Sequence, residues 1–191
     1  MSLTAEGCAG GFAGFRLCPS AMVSVVIEAG KDDEGLARTL ASLISAAVEG
    51  VVRDVIVCDA GSTDQTHRVA EHAGCNYIAT GGVAAGIRQA KGDWLLLLEP
   101  GARLVDGWTE SVLAHTARMT MPARFSRARG SRVPFLSRAF SRPTALAEGL
   151  VITKRQATAL SRNAESAEAI ARGLATRKLD GEILVARKAR G

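Results

Sequence analysis

Short apolar runs alternate with amphipathic segments along most of the chain. Four runs have the length and residue types of buried strands, and they read VSVVI, RDVIVCD, CNYIA and DWLLLL. The segments between them carry apolar residues at helical spacing, with capping residues or glycines at their ends. This alternation predicts βαβ crossovers and a parallel sheet that is covered by helices on both faces.

The first helical segment follows the run VSVVI and reads EGLARTLASLISAAVEG. At helical spacing its apolar residues fall on one face, and they are Leu36, Leu40, Leu43, Ile44 and Ala47. Asp32 or Asp33 can cap the first turn. We therefore expect a helix whose core-facing side consists of these five residues.

The residues that directly follow each strand are the candidate functional positions, because ligands bind at the carboxyl ends of parallel strands. The most specific stretch is VIVCDAGSTDQT. Asp59 leaves a buried strand there and can accept hydrogen bonds from a base or ribose, while exposed N–H groups face an anion. The alternative is structural: Asp59 caps the turn, and Ser62 or Asp64 caps the next helix. The residues alone leave both readings open.

Composition adds limits to this picture. With 191 residues, 47% of them hydrophobic, the chain can bury one sizeable core, so we expect one domain over 22–191 and a poorly ordered leader over 1–21. The net charge of +5 suits polyanions or nucleotide phosphates. The four cysteines show neither zinc-site nor disulfide-framework spacing, and no apolar run is long enough to cross a bilayer. A cytoplasmic location is expected, either free or peripheral to a membrane.

Four stretches, in order, resemble the nucleotide-sugar-binding domain of glycosyltransferase family 2. They are VSVVI with its acidic turn, DVIVCDAGSTDQT, AGIRQAKGDWLLLLEPGARLVDGW and ALAEGLVITKRQ, and the similarity covers about Val23 to Arg187. The resemblance implies a GT-A fold, which is a Rossmann-like three-layer α/β/α domain with a mostly parallel mixed sheet. It also implies a nucleoside diphosphate sugar as donor, with Mg²⁺ or Mn²⁺ on the diphosphate.

The same resemblance assigns site residues. The aspartate that lines the nucleoside pocket corresponds to Asp59, and the D-x-D motif corresponds to Glu99, Pro100 and Gly101. That motif is degenerate here, because Gly101 supplies only backbone, and Glu99 is the expected metal ligand. The candidate nucleotide-binding residues are Glu28, Asp59, Gly61, Ser62, Asp64, Glu99 and Gly101.

The implied reaction is an inverting transfer to an acceptor hydroxyl, in which a carboxylate acts as general base. The acid pair that supplies this base in the family corresponds to Ser166 and Ala167. Glu168 and Glu165 flank that pair and are the candidate catalytic residues, in that order. On a helix, however, most glutamates belong to a solvated face.

The acceptor side of the family corresponds to a basic segment with interleaved aromatic residues. Its arginines are Arg124, Arg127, Arg129, Arg132, Arg138 and Arg142. They suit diphosphate oxygens, a lipid-linked acceptor or a peripheral membrane contact, or they cover a hydrophobic edge with their stems. No nucleic-acid motif is present, so no nucleic acid is expected. A second hypothesis also stands: a degenerate member that binds nucleotide or a protein partner without turnover.

Overall fold

The computed structural model describes residues 22–62, 64–128 and 144–186. These residues form one mixed sheet with the strand order β3-β2-β1-β4-β7-β6-β8-β5. The strands are β1 (Val23–Ala29), β2 (Val52–Asp59), β3 (Asn76–Ile78), β4 (Trp94–Leu98), β5 (Arg103–Leu104), β6 (Ala123–Arg127), β7 (Leu150–Thr153) and β8 (Arg177–Leu184). Strands β1 to β4 are parallel to one another, and β7 joins β4 in the antiparallel direction.

Helices cover both faces of this sheet. They are α1 (Asp33–Ala41), α2 (Ile44–Val48), α3 (Asp64–His72), α4 (Gly82–Gln89), α5 (Trp108–Thr116), α6 (Lys154–Leu160) and α7 (Ala167–Ala171). One core packs α1, α2, α3 and α5 against the sheet, and a second core packs α4, α6 and α7 against the opposite face. The alternation of side chains along β1 explains the division, since Ile27 points into the first core and Val26 into the second. The predicted three-layer α/β/α fold with a mostly parallel mixed sheet is confirmed.

The first helical segment differs from its prediction. Leu36, Leu40 and Leu43 are buried as expected, but Ile44 is 62% exposed and Ala46 takes the buried position instead of Ala47. The reason is a break after α1, where the N–H of Ser42 bonds to the carbonyl oxygen of Thr39 with the tighter i to i−3 spacing. The Ser42 hydroxyl donates to the same oxygen at 2.7 Å. This turn shifts the core-facing positions by one residue.

The amino ends of β1, β2 and β4 are joined by a polar cluster. The buried hydroxyl of Ser24 donates to the carboxylate of Asp54 and accepts a hydrogen bond from the N–H of Gly92 at 2.8 Å. A Cβ on Gly92 would lie 2.5 Å from the carbonyl oxygen of Met22. The loop before β4 therefore requires glycine at residue 92 in order to reach β1.

Two expectations concern residues that the structure does not describe. The predicted leader, residues 1–21, and residues 129–143 of the arginine-rich segment both lie outside the described ranges. Within those ranges, none of the helices is sufficiently long and apolar to span a bilayer.

Candidate functional site

Three acidic residues lie at the carboxyl ends of three adjacent parallel strands. β1 runs between β2 and β4, and its Ile27 is in register with Val57 on one side and Leu98 on the other. Glu28 follows Ile27 on β1, Asp59 ends β2, and Glu99 follows the last residue of β4. Because adjacent strands are about 4.8 Å apart, the backbones at Asp59 and Glu99 are separated by about 10 Å, with Glu28 between them.

Asp59 organises the turn that follows β2. Its Oδ1 accepts a hydrogen bond from the N–H of Ser62 at 2.7 Å, and Gly61 within the turn has a φ of 81°. The bond from the Ser62 N–H is the main reason that the pKa of the Asp59 carboxyl lies below its usual range. Asp59 therefore caps the turn and is ionised at neutral pH. Its contact with a nucleoside stays a prediction, as do those of Gly61 and Ser62.

An aromatic pair, which the sequence analysis did not single out, stands beside this turn. The hydroxyls of Ser62 and Tyr77 share a hydrogen bond of 2.7 Å. The ring of Tyr77 lies against that of His67, with 4.4 Å between the ring centroids. The side chain of Asp64, another candidate residue, falls outside the described part of the structure.

The residues after β4 form a tight turn rather than a chelating loop. The N–H of Ala102 donates to the carbonyl oxygen of Glu99 at 3.1 Å, with Pro100 and Gly101 between them. Gly101 has a φ of 89°. Proline followed by a residue of positive φ is the signature of a type II turn, so the backbone here needs a glycine. The absence of a carboxylate at residue 101 therefore has a conformational reason.

Helix α1 brings a carboxylate to this turn that the sequence analysis assigned only to capping. Asp32 caps α1, because its Oδ1 accepts from the N–H of Gly35 at 2.8 Å. Its Oδ2 lies 3.8 Å from the position that a Cβ on Gly101 would occupy. Two carboxylates, those of Glu99 and Asp32, thus border the turn. Asp32 and Gly101 are far apart in sequence, so their proximity could not be predicted from residue spacing. The acidic run at the start of α1 was the only sequence feature that pointed to a carboxylate here.

The described residues do not form a preformed metal site. They contain no group of three or more histidine, cysteine, aspartate or glutamate side chains placed to hold one ion. Glu99 has one carboxylate oxygen engaged, since Oε1 accepts a hydrogen bond from the hydroxyl of Thr144. Any divalent ion here would need most of its oxygen ligands from a bound diphosphate and from water.

Glu28 is half-buried, as are Asp59 and Glu99, and its carboxylate forms a hydrogen bond that joins the end of β1 to α7. Its Oε2 accepts a hydrogen bond from the N–H of Ala167, the first residue of α7, at 2.8 Å. Burial raises the pKa of the Glu28 carboxyl, and the bond from Ala167 partly opposes that effect. Burial and the nearby charge of Glu28 raise the pKa of the Cys58 thiol to about 12, so Cys58 is not a nucleophile at neutral pH.

The two glutamates predicted as catalytic lie at and before α7. Glu168 forms an ion pair with Arg172 on the next helical turn, with 3.2 Å between Oε1 and Nη2. Glu165 is exposed and precedes Ser166, whose hydroxyl caps α7 by accepting from the N–H of Ala169 at 3.1 Å. The catalytic role of both residues stays a prediction.

Two arginines of the basic segment fall within the described residues, and both have internal partners. Arg124 donates from Nη2 to the carbonyl oxygen of Ala171 at 2.6 Å, at the carboxyl end of α7. Arg127 pairs with Glu148 at 2.8 Å. These contacts give both residues a structural role, whereas the membrane and acceptor contacts of the segment stay predictions.

Two surface grooves are lined by none of the three acidic strand-end residues. One, of about 410 Å³, is lined by Arg38, Arg103 and Asp106 among others. The other, of about 720 Å³, is lined by Trp94, Lys154 and Arg162 among others, at the amino end of β4. Since Trp94 and Leu98 are the two ends of β4, this groove lies at the opposite end of the strand from Glu99.

No family model matches the chain, and no curated protein sequence matches it. Its fold is similar to that of glucosyl-3-phosphoglycerate synthase from Mycobacterium tuberculosis, solved with Mn²⁺, uridine diphosphate and glucosyl-3-phosphoglycerate. That likeness has a TM-score of 0.52 and 17% identity, over 73% of this chain and 59% of that chain. Mannosyl-3-phosphoglycerate synthase from Rubrobacter xylanophilus is also similar, with a TM-score of 0.54 and 14% identity, over 71% of this chain and 55% of that chain.

These likenesses confirm the GT-A fold. At such low identity they show the fold alone. The chain spans less than two thirds of the length of either neighbour.

Proposed function

We propose that this protein is a GT-A glycosyltransferase that transfers a sugar from a nucleoside diphosphate sugar to an acceptor hydroxyl with inversion. The observation that carries the proposal is the placement of Asp59, Glu28 and Glu99 at the carboxyl ends of three adjacent parallel strands. Ligands of open α/β sheets bind at such an edge. The similar fold of the M. tuberculosis synthase, which was solved with uridine diphosphate, supports a nucleotide at this edge.

The nucleoside is proposed to lie against the turn after β2. Asp59 supplies a carboxylate oxygen that can accept from ribose or base, and Gly61, Ser62 and Asp64 supply the surrounding turn. The diphosphate is then directed along the sheet edge towards Glu99 and Gly101, which lie on the far side of β1.

A divalent ion, Mg²⁺ or Mn²⁺, is proposed to bind together with the nucleotide rather than before it. Glu99 would contribute a carboxylate oxygen, and the ion would neutralise charge on the leaving diphosphate. The neighbouring synthase was solved with Mn²⁺ and with Mg²⁺, which supports this proposal. Because the described residues lack a preformed site, affinity for the metal alone should be weak.

The transfer itself requires a carboxylate that accepts the proton of the acceptor hydroxyl. Glu168 and Glu165 are the candidates from sequence, and membership of family 2 with a degenerate D-x-D motif belongs to the same proposal. The acceptor side is assigned to the arginine-rich segment, with a lipid-linked hydroxyl as one candidate acceptor. A cytoplasmic location, free or at a membrane surface, completes the proposal.

A second function is favoured by the turn after β4. Gly101 carries no side chain, and one oxygen of Glu99 is engaged by Thr144. A protein with this arrangement can retain nucleotide affinity and lose turnover. The second candidate is therefore a degenerate member that binds a nucleotide or a protein partner without transfer.

The experiment is a thermal-shift panel followed by a turnover assay. Nucleoside diphosphates and their sugars are tested with and without Mn²⁺, because a ligand that binds the native state raises the melting temperature by mass action. Sugar nucleotides that give a shift are then assayed for release of the nucleoside diphosphate. A Mn²⁺-dependent shift with release supports the transferase. A shift without release under any acceptor supports the second function, and no shift at all contradicts both nucleotide proposals.

A further inference from the structure

The edge of the sheet opposite Asp59 and Glu99 is rich in cations. Strand β6 runs in the same direction as β4, because β7 is antiparallel to both, and β8 is parallel to β6. The amino ends of β4, β6 and β8 therefore lie at one edge, together with the start of α6, which follows β7 directly. The cations at this edge, which we call the basic edge, are Lys91, Arg118, Lys154, Arg155, Arg162, Arg177 and Lys178.

The groove of about 720 Å³ at the amino end of β4 lies within the basic edge. Its charged lining consists of Lys154, Arg155 and Arg162, with Asp93 as the one acid. The ammonium of Lys154 donates to the carbonyl oxygen of Ala90. Arg155 and Arg162 are exposed, and neither has an ion-pair or hydrogen-bond partner among the described residues. Their charges therefore remain available to an anion.

The loop between α5 and β6 adds two exposed methionines to the basic edge. Met119 is 36% exposed and Met121 is 48% exposed. Nε2 of the buried His115 donates to the carbonyl oxygen of Met121 at 2.8 Å, and the N–H of Arg177 donates to that of Pro122 at 2.8 Å. Because these bonds anchor the loop, the two apolar side chains are held at the surface beside the cations.

The two edges of the sheet carry opposite charge. Glu28, Asp59 and Glu99 lie at the carboxyl ends of β1, β2 and β4, and Asp32 lies beside them at the start of α1. The five residues of β4 place about 13 Å between its two ends. A negatively charged surface attracts one edge and repels the other, so it would orient the molecule with the basic edge towards it.

We propose that the basic edge is a docking surface for a lipid bilayer that contains anionic lipids. Its cations contact the phosphates of the headgroups, and Met119 and Met121 enter the boundary between headgroups and acyl chains. The methionines favour a bilayer over a nucleic acid, because a nucleic acid backbone offers no apolar phase to receive them. This inference goes beyond the proposed function and does not depend on it, since docking requires neither nucleotide nor transfer.

Docking by the basic edge would direct the candidate active site away from the bilayer. Glu99 follows the carboxyl end of β4, and the arginine-rich segment leaves the sheet at the same end, since β6 ends at Arg127. Both would then face the water phase. A soluble acceptor fits this orientation better than a lipid-linked one.

The experiment measures co-sedimentation of the full chain with vesicles of phosphatidylcholine, with and without phosphatidylserine, at low and high salt. Arg155→Glu/Arg162→Glu reverses two charges of the basic edge. Arg38→Glu/Arg103→Glu is the matched control, because both of its arginines line the other groove. Each replacement of arginine by glutamate removes two units of charge, so both double variants change the net charge from +5 to +1.

We expect wild type to bind the phosphatidylserine vesicles, to bind them more weakly at high salt, and not to bind phosphatidylcholine alone. Arg155→Glu/Arg162→Glu should lower vesicle affinity by about tenfold or more, while the control stays within about twofold of wild type. Met119→Ser/Met121→Ser should also weaken binding, although it leaves the charge unchanged.

Melting temperatures verify that the variants are folded, since substitutions of exposed side chains usually cost little stability. If the charge reversal lowers the melting temperature, Arg155→Gln/Arg162→Gln replaces it and should still weaken vesicle binding. UDP affinity in Mn²⁺ should be the same in wild type and in all of these variants. A failure of vesicle binding therefore leaves the proposed function standing, and a failure of UDP binding leaves the docking surface standing.

Four results would overturn the docking surface. The first is absence of binding to phosphatidylserine vesicles by wild type, and the second is equal binding to phosphatidylcholine alone. The third is an equal loss in both double charge variants, which would reduce the effect to net charge. The fourth is tighter binding of duplex DNA or an RNA hairpin, measured by fluorescence anisotropy and lost in Arg155→Glu/Arg162→Glu, which would assign the basic edge to nucleic acid.

Discussion

The hydroxyl of Thr39 accepts a hydrogen bond from the N–H of Gly101 at 2.9 Å, and this contact ties helix α1 to the turn after β4. The same N–H also lies 2.9 Å from the carbonyl oxygen of Gly35. Thr39 is fully buried, so the position of the turn is set by the core and not by solvent. The candidate diphosphate side of the site is thereby fixed to the helix that follows β1.

Thr39→Val tests this connection, since it keeps the shape of the side chain and removes the hydroxyl. We expect the free energy of unfolding to fall by about 1 kcal/mol, as for a typical buried hydrogen bond. Affinity for UDP with Mn²⁺ should fall as well, because the turn that carries Glu99 loses an anchor. Thr39→Ser is the control for the hydroxyl: it should keep UDP affinity near wild type, while the loss of a buried methyl group lowers the free energy of unfolding by about 1 kcal/mol. Equal UDP affinity in all three proteins would show that the hydrogen bond between Thr39 and Gly101 does not affect nucleotide binding.

Gly101→Asp restores the second carboxylate of the degenerate motif, but the backbone opposes it. A side chain at a φ of 89° is strained, and its Cβ would lie 3.2 Å from that of Ala186. We expect a loss of about 1 to 3 kcal/mol in the free energy of unfolding and no tighter binding of UDP with Mn²⁺. Gly101→Ala is the control for backbone strain alone. Tighter Mn²⁺-dependent binding by the aspartate variant than by the alanine variant would show that the turn tolerates a ligand.

Asp59→Asn distinguishes the two roles of Asp59, which are capping the turn after β2 and contacting a bound nucleoside. The asparagine oxygen can still accept from the Ser62 N–H, whereas alanine cannot, so only Asp59→Ala should loosen the turn. The lowered pKa means that the charge of Asp59 stabilises the fold above pH 3.8, and that this contribution is lost as pH falls through the folded pKa.

Chemical denaturation across pH measures this effect. The stability difference between wild type and Asp59→Asn should be present at pH 7 and vanish in strong acid. If Asp59 contacts the nucleoside as an anion, Asp59→Asn should also weaken UDP binding at pH 7. Wild-type affinity in Asp59→Asn, together with an unchanged turn, would limit Asp59 to capping.

Gly92→Ala tests the close approach at the amino end of β1. The added Cβ would lie 2.5 Å from the carbonyl oxygen of Met22. Because such overpacking forces the neighbouring backbone to shift, the free energy of unfolding should fall by about 1 to 3 kcal/mol. Gly30→Ala is the matched control, because its Cβ would meet its nearest neighbour, the oxygen of Ala60, at an ordinary 3.7 Å. Equilibrium unfolding in urea should show the loss only in Gly92→Ala. Equal stability of the two variants would contradict the packing described for this loop.

The parallel half of the sheet could be predicted because its signals are local. Each strand from β1 to β4 is a short apolar run bounded by turn residues, and the proline and glycine after Glu99 are typical of a type II turn. The shift between Leu43 and Ile44 could not be predicted from periodicity, since it depends on how the Ser42 hydroxyl closes the last turn of α1.

The contacts between the different elements of the site could not be predicted from the sequence pattern. Glu28 and Ala167, which share a hydrogen bond, are 139 positions apart. Asp32 lies near Gly101 only because α1 packs beside the turn after β4. The other half of the sheet likewise rests on distant pairings, such as that of Ala123 with both Val151 and Arg177. Such relationships depend on topology, whereas residue spacing reports on neighbours along one element.

The most direct test of the account is a crystal structure of the protein grown with UDP and Mn²⁺, with anomalous data that locate the manganese. The account predicts UDP across the carboxyl ends of β2, β1 and β4, with its uridine beside Asp59 and the manganese between the diphosphate and Glu99. UDP in the groove beside Arg103 or in the one beside Trp94 would contradict it. So would crystals that show no UDP at saturating concentration.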